Sequence, residues 1–199
     1  MIYLDFKNKI MPLGVFSPRD IKKYYPAFDT RRLVEWKEKG YISKVRNSWY
    51  VFNDNKVNNF FISNRVYSPS YISLESALSY YGVIPEAVFN ITAVTTLKTY
   101  SFEFKDIIYS YNTIKTNAYT GYEIVYNDEL PLKIATPEKA LIDFLYLRKT
   151  GNSDKDLLEL RLDLINIDLN ELFRLTGFFK NKKLEEKVNI LVRTYDNIK

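Results

Sequence analysis

The chain contains no cysteine and no histidine among its 199 residues. Without cysteine there are no disulfides, no thiolate nucleophile and no Cys-based zinc site, a composition that fits a reducing compartment. Without histidine there is no Ser-His-Asp triad, no HExxH metal site and no imidazole base. Chemistry of any kind would fall to carboxylates, Lys, Tyr, Ser or Thr. Long apolar runs are missing as well. No stretch reaches the roughly 18 apolar residues of a membrane span, and "MIYLDFKNKI" lacks the apolar segment of a signal peptide. The expectation is a soluble, cytoplasmic, non-enzymatic protein with no catalytic residue, no cofactor and no metal.

What is present is a hydrophobic content of 46%, enough for a sizeable core in one or two domains. Charge is unevenly placed. Residues 1–56 hold 12 Lys/Arg against 6 Asp/Glu, net +6, whereas residues 57–199 hold 17 against 18, net −1. A basic N-terminal module that meets an anion, beside a nearly neutral module with another task, is the simplest reading.

The N-terminal pattern sharpens that reading. Residues 2–11 read as a short helix ended by Pro12 and Gly14. Ser17 caps a second helix, Pro18 takes its first position and Asp20 suits its positive end, until Pro26 stops it. Asp29 caps a third helix, "TRRLVEWKEK", closed by Gly40. "YISKVR" and "WYVFN" flank Asn47-Ser48 as a tight hairpin. Helix, helix, turn, helix and hairpin is the order of a winged helix-turn-helix, in which the third helix enters a DNA groove.

Leu33 and Trp36 share one face of that third helix. Arg31, about 200° away from Leu33 around the axis, lies opposite. Thr30, Arg31 and Arg32 occupy its first turn, where recognition helices meet base edges. Arg can bond guanine or phosphate through two donors. Lys44 and Arg46, alternating on the hairpin strand, are expected to reach the backbone. With Ser17 and Arg19 at the start of the second helix, and Lys37 further along the third, these form the candidate duplex-binding set. The aromatics between them, Trp36 above all, are expected to be core.

Residues 53–59, "NDNKVNN", read as a linker. The second module begins with "FFISNRVYSPSYISLESALSYYGVIPE", in which Ser73 caps "LESALSYY" and Gly82 closes it. Strand-like runs follow: "AVFNITAVTTL", "FEF", "IIYSYNTIK", "YEIVYN" and "LPLKIAT". "TPEKALIDFLYLRK" carries the sharpest helix signal, with Thr136 as cap, Pro137 in the first turn and a broad apolar face. It has too many apolar positions for a surface helix and is expected to be core. Two or three further helices are expected over 154–193. The fold class is α+β: a winged helix-turn-helix over 1–56, then a mixed α/β domain over 57–199.

"YSPSYISLESALSYYGVIPEAVFNITAVTT", followed about forty residues later by "IATPEKALIDFLYL", resembles the AbiE antitoxin family (AbiEi), transcriptional regulators of viral defence systems. The resemblance spans most of the chain and thins after about residue 150. It implies an autorepressor that binds operator DNA through its N-terminal domain. It also implies an antitoxin that counteracts a nucleotidyltransferase-like toxin through the C-terminal domain, without requiring a stable complex. An inverted-repeat operator is expected if two copies bind together. The wing turn in that family is often Gly-containing, and Asn47-Ser48 stands in its place here.

Other classes leave weaker marks. "GNSDKD", residues 151–156, has Gly, Ser and two acids but not the spacing of a nucleotidyltransferase metal site, and reads as a helix start capped by Ser153. Glu103, Asp106, Glu123 and Lys133 fall near strands, as nuclease residues do, but without Asp…Glu-x-Lys spacing. Tyr24, Tyr25, Tyr41, Trp49 and Tyr50 are candidates for stacking single-stranded RNA. The basic stretch Lys180, Lys182, Lys183 and Lys187 is a candidate for meeting an acidic partner or an RNA substrate of the toxin.

Overall fold

The computed structural model describes residues 3–127, 130–148 and 153–196. They form a mixed α+β protein with two sheets. The first helix, α1 (Tyr3–Ile10), leads through a 3-10 turn into β1 (Val15–Phe16). Then come α2 (Pro18–Tyr24), α3 (Arg31–Glu38) and a hairpin of β2 (Ile42–Arg46) and β3 (Trp49–Phe52). The start of α2 is a complete capping box. The Asp20 N–H donates to Ser17 Oγ at 3.3 Å, and the Ser17 N–H donates to Asp20 Oδ2 at 3.0 Å. At α3, Asp29 Oδ1 accepts the Arg31 N–H at 3.0 Å, so the cap expected from the sequence forms. The hairpin turns at Asn47-Ser48, where Ser48 takes φ 64°, a conformation that Gly would adopt at less cost.

Strand β1 is absent from the sequence reading. It is two residues long and pairs antiparallel with β3, giving the sheet order β1-β3-β2. One face of this sheet closes a small core of Phe6, Ile10, Phe16, Ile21, Phe28, Leu33, Trp36, Ile42 and Phe52. Aromatic rings dominate it: the Phe6 centroid lies 4.5 Å from that of Trp36 and 5.6 Å from that of Phe28. The other face carries Val15, Val45 and Val51 into the larger core of the remaining chain. The basic N-terminal unit is therefore seated on the rest of the protein by its sheet.

The larger part opens with α4 (Asn59–Val66), which the sequence reading placed partly in a linker. Asn58 Oδ1 caps it, accepting the Phe60 N–H at 2.7 Å. There follow β4 (Ser70–Ile72), α5 (Leu74–Tyr80), β5 (Ile91–Thr95), β6 (Tyr100–Phe104) and β7 (Ile107–Thr113). After these come β8 (Tyr122–Asn127), β9 (Leu130–Ala135), α6 (Pro137–Leu147), α7 (Asp154–Glu159), α8 (Leu169–Gly177) and α9 (Lys182–Asp196). The second sheet has the order β6-β7-β5-β4-β9-β8, with β4–β9 and β5–β7 parallel and the other pairs antiparallel. Helix α4 lies against β4, β5 and β9, while α6 packs on α5, α8 and α9. Strand β4, with only three residues, was not foreseen. Residues 87–89, expected in a strand, lie outside β5.

Helix α6 is the buried helix the sequence implies: every residue from Glu138 to Leu145 is buried. Thr136 Oγ1 accepts the Lys139 N–H at 3.3 Å as its cap. Within this helix sits a polar cluster. Lys139 and Asp143, one turn apart and both fully buried, form an ion pair. Lys139 Nζ donates to the Tyr71 hydroxyl at 2.8 Å. Asp143 Oδ2 accepts from Tyr71 at 3.0 Å and from Ser73 at 2.8 Å. Ser73, expected to cap α5, makes no cap bond because its hydroxyl serves Asp143. The stem of Lys139 is pressed by Gly121, which has φ +74° and whose added Cβ would sit 3.0 Å from Lys139 Cγ. Only a residue without Cβ fits that backbone at that distance.

Candidate nucleic-acid interface

Helix α3 turns Leu33 and Trp36 into the small core and presents its cations outward. The Arg31 side chain is 93% exposed at the first turn and lies 3.8 Å from the Asp29 carboxylate. Thr30 is exposed and makes no cap bond, so its hydroxyl is not used by the helix. Arg32 is half-buried along a cleft with Tyr24, Tyr25, Pro26, Phe28 and Asp29, and its charge also reaches Glu35. Lys37 is exposed in the last turn of α3, and Lys44 is exposed on β2. Arg19 is exposed at the first turn of α2. It shares a shallow cleft with Ser48 and Trp49 of the hairpin and with Arg65 of α4. Helix α2, helix α3 and the hairpin each bring at least one cation to the surface of the unit, beside the exposed apolar side chains of Leu4 and Val34.

Two members of the expected set sit elsewhere. Ser17 is buried, and its hydroxyl donates to Asp20 Oδ2 at 2.7 Å, which leaves no donor for a phosphate. Burial alone would push the Asp20 carboxyl up. The Ser17 hydrogen bond and the Arg65 charge outweigh it and hold Asp20 below its ordinary value, so a carboxylate stands beside Ser17. Arg46 was expected to alternate with Lys44 along the strand. A register shift between Lys44 and Arg46 breaks that alternation. The Arg46 guanidinium lies 4.0 Å from the Tyr100 ring centroid and 5.3 Å from that of Tyr67, both in the second part of the chain. It fastens the hairpin to the larger sheet. Arg46→Ala is accordingly expected to lower unfolding stability by about 1–2 kcal/mol. Lys44→Ala should stay within about 0.5 kcal/mol. Urea titrations of the two variants check this, and equal values would mean that the stacking contributes nothing.

Arg65 escaped the sequence reading. Its guanidinium lies 3.1 Å from Asp20 and 5.3 Å from the Trp49 ring, bridging α4, α2 and the hairpin. No local signal marked it, because its partners are 16 and 45 residues away in the chain. The aromatics considered for RNA stacking are mostly engaged within the protein. Tyr41 lies 4.6 Å from Tyr3 and Tyr50 lies 6.1 Å from Phe16, while Trp49 packs on the larger core.

The acidic residues considered for a nuclease do not converge. Glu103 and Asp106 belong to β6 and its turn at one edge of the second sheet, and Glu123 to β8 at the other. Five strand spacings separate those edges, roughly 24 Å. Among the described residues no group of three or more acidic, His or Cys side chains is placed to hold a metal. In "GNSDKD", Gly151 and Asn152 lie outside the described residues. Ser153 Oγ accepts the Asp156 N–H at 3.3 Å, the helix-start bond expected of it. In the basic C-terminal stretch, Lys180, Lys182 and Lys183 are exposed. Lys187 instead donates to the Leu145 carbonyl at 2.9 Å and the Arg148 carbonyl at 3.4 Å, closing the end of α6.

Fold and surface together define a mixed α+β protein whose basic N-terminal unit displays cations on two short helices and a hairpin. No helix among the described residues is long and apolar enough to cross a membrane. No protein-family model matches the chain, and no curated protein matches it either.

Proposed function

We propose that the N-terminal unit is a winged helix-turn-helix that binds double-stranded DNA, with α3 as the recognition helix. The observation that carries this reading is the position of Arg31, exposed at the N-terminal turn of α3 while the opposite face of that helix is locked in the core. Recognition helices present that turn to the major groove. The element order α1, β1, α2, α3, β2, β3 supports the assignment, as does the net charge of +6 over residues 1–56. Arg19, Lys37 and Lys44 flank Arg31 and Arg32 as contacts to phosphate, and Thr30 has a free hydroxyl for the same purpose.

The resemblance to AbiEi antitoxins supplies the rest of the proposal. The protein represses its own operon from an inverted-repeat operator. Residues from 57 onward counteract a nucleotidyltransferase-like toxin encoded beside it. Because Val15, Val45 and Val51 pack into the larger core, a fragment ending at residue 56 would expose them, so the test uses the whole chain. Arg31→Ala and Arg32→Ala should each cost about 1–3 kcal/mol on a specific operator and relax sequence preference. Lys44→Ala should weaken all duplexes about equally. Fluorescence anisotropy with the operator and a scrambled duplex reads both quantities. Uniform losses in all three variants would mean that α3 reads no bases. Co-expression with the neighbouring toxin gene tests the second role, and growth unaffected by this chain would overturn it.

A further inference from the structure

We propose that the cleft where the turn before β1, helix α4 and strands β4, β8 and β9 meet is a binding site for a small amphipathic carboxylate. The cleft holds about 420 Å³, inside the range of small-molecule sites. Leu13, Phe61, Ile124 and Leu130 give it apolar walls, and Asn64, Arg65, Ser70 and Lys133 supply its polar lining.

Two of those polar groups have no hydrogen-bond partner among the described residues. Ser70 is only 2% exposed and its hydroxyl is unpaired, as is the side-chain N–H₂ of Asn64. Buried polar groups are nearly always paired, so an unpaired couple lining one cleft is a reason to look for what pairs them. The Asn64 amide cannot turn to relieve itself. Its Oδ1 accepts the Lys133 backbone N–H at 2.6 Å, which fixes the N–H₂ on the other side. A donor held in that way calls for an acceptor, and Ser70 can supply a second donor.

Charge selects among acceptors. The Arg65 guanidinium is already matched by Asp20 at 3.1 Å. Lys133 lies 5.5 Å from the Tyr122 ring and forms no ion pair among the described residues. One positive charge, two donors and apolar walls fit a carboxylate on a compact aryl or alkyl body. The cleft is lined from both parts of the chain, by Leu13 on one side and by α4 with the larger sheet on the other.

Calorimetric titration of the full-length protein with benzoate, indole-3-acetate and octanoate tests the site, with indole-3-acetamide as the uncharged control. At least one acid should bind with a dissociation constant of about 1 mM or tighter. Indole-3-acetamide should bind about tenfold more weakly than indole-3-acetate. Ser70→Ala should raise the thermal midpoint of the free protein, since it removes an unpaired hydroxyl, and weaken the acid about fivefold or more. Lys133→Met should erase the difference between acid and amide, and it carries the test if Ser70→Ala does not fold. Failure of all three acids to bind overturns the proposal. So does a Ser70→Ala protein of lower midpoint and unchanged affinity, or an acid preference that survives Lys133→Met.

Discussion

Lys139→Met is expected to lower the free energy of unfolding by about 3–5 kcal/mol, read from urea denaturation. Lys139 and Asp143 are both fully inaccessible, one turn apart on α6. Removing the cation leaves a carboxylate surrounded by protein, with only the Tyr71 and Ser73 hydroxyls to stabilise it. Burial pushes the Asp143 carboxyl up and the Lys139 ammonium down, and each opposes the shift of the other. Once Lys139 is gone, the Tyr71 and Ser73 hydrogen bonds alone oppose burial at Asp143, so the group takes up a proton or the core opens. The double variant Lys139→Met/Asp143→Leu removes both charges together and should recover to within about 1–2 kcal/mol of the parent protein, as matched apolar replacements of buried pairs do. A cost below about 1 kcal/mol for Lys139→Met would mean that water reaches the pair. The network joins α6 to β4 through Tyr71, so its loss should be felt across the larger core and not in one helix.

Duplex affinity should fall steeply with salt, by about 10²–10³ between 50 and 200 mM. That size follows from the five exposed or half-buried cations assigned to phosphate or base contacts: Arg19, Arg31, Arg32, Lys37 and Lys44. Each phosphate neutralised releases condensed counterions and adds about 0.9 to the slope of log K against log salt. Arg46 is left out of the count because it stacks on Tyr100, and Ser17 because it is buried. Anisotropy titrations at four salt concentrations measure the slope. A slope near zero would sink the proposed DNA-binding role, and a slope near one would leave Arg31 alone as a contact. Lys37→Ala and Lys44→Ala should each reduce the slope by about one contact without altering the preferred sequence.

Much of the N-terminal unit was legible because its signals are local. Ser17 as the cap of α2, Pro18 at its first position and Asp29 ahead of α3 act within three residues of chain and form as read, and the structure adds the return bond to Asp20 that completes a capping box. The 3.6-residue period of Leu33 and Trp36 fixed which side of α3 is core and left Arg31 outside. Thr136 and Pro137 marked α6 in the same way, and its broad apolar face foretold its burial. The absence of cysteine and histidine settled from composition alone which catalytic classes are closed to this chain.

What the tertiary structure decided depends on residues far apart in the chain. Strands β1 and β4, two and three residues long, are too short to show a period and exist because β3, β5 and β9 offer them hydrogen-bonding edges. Ser73 has a capping sequence but serves Asp143, seventy residues on, because a buried carboxylate binds a hydroxyl more strongly than an exposed helix end does. Arg46 reads as a surface charge until Tyr67 and Tyr100 are brought beneath it. Lys139 stands in the first turn of α6 with no local signal to set it apart. Folding encloses it, and only the side chains that converge from β4 and α6 make that burial tolerable.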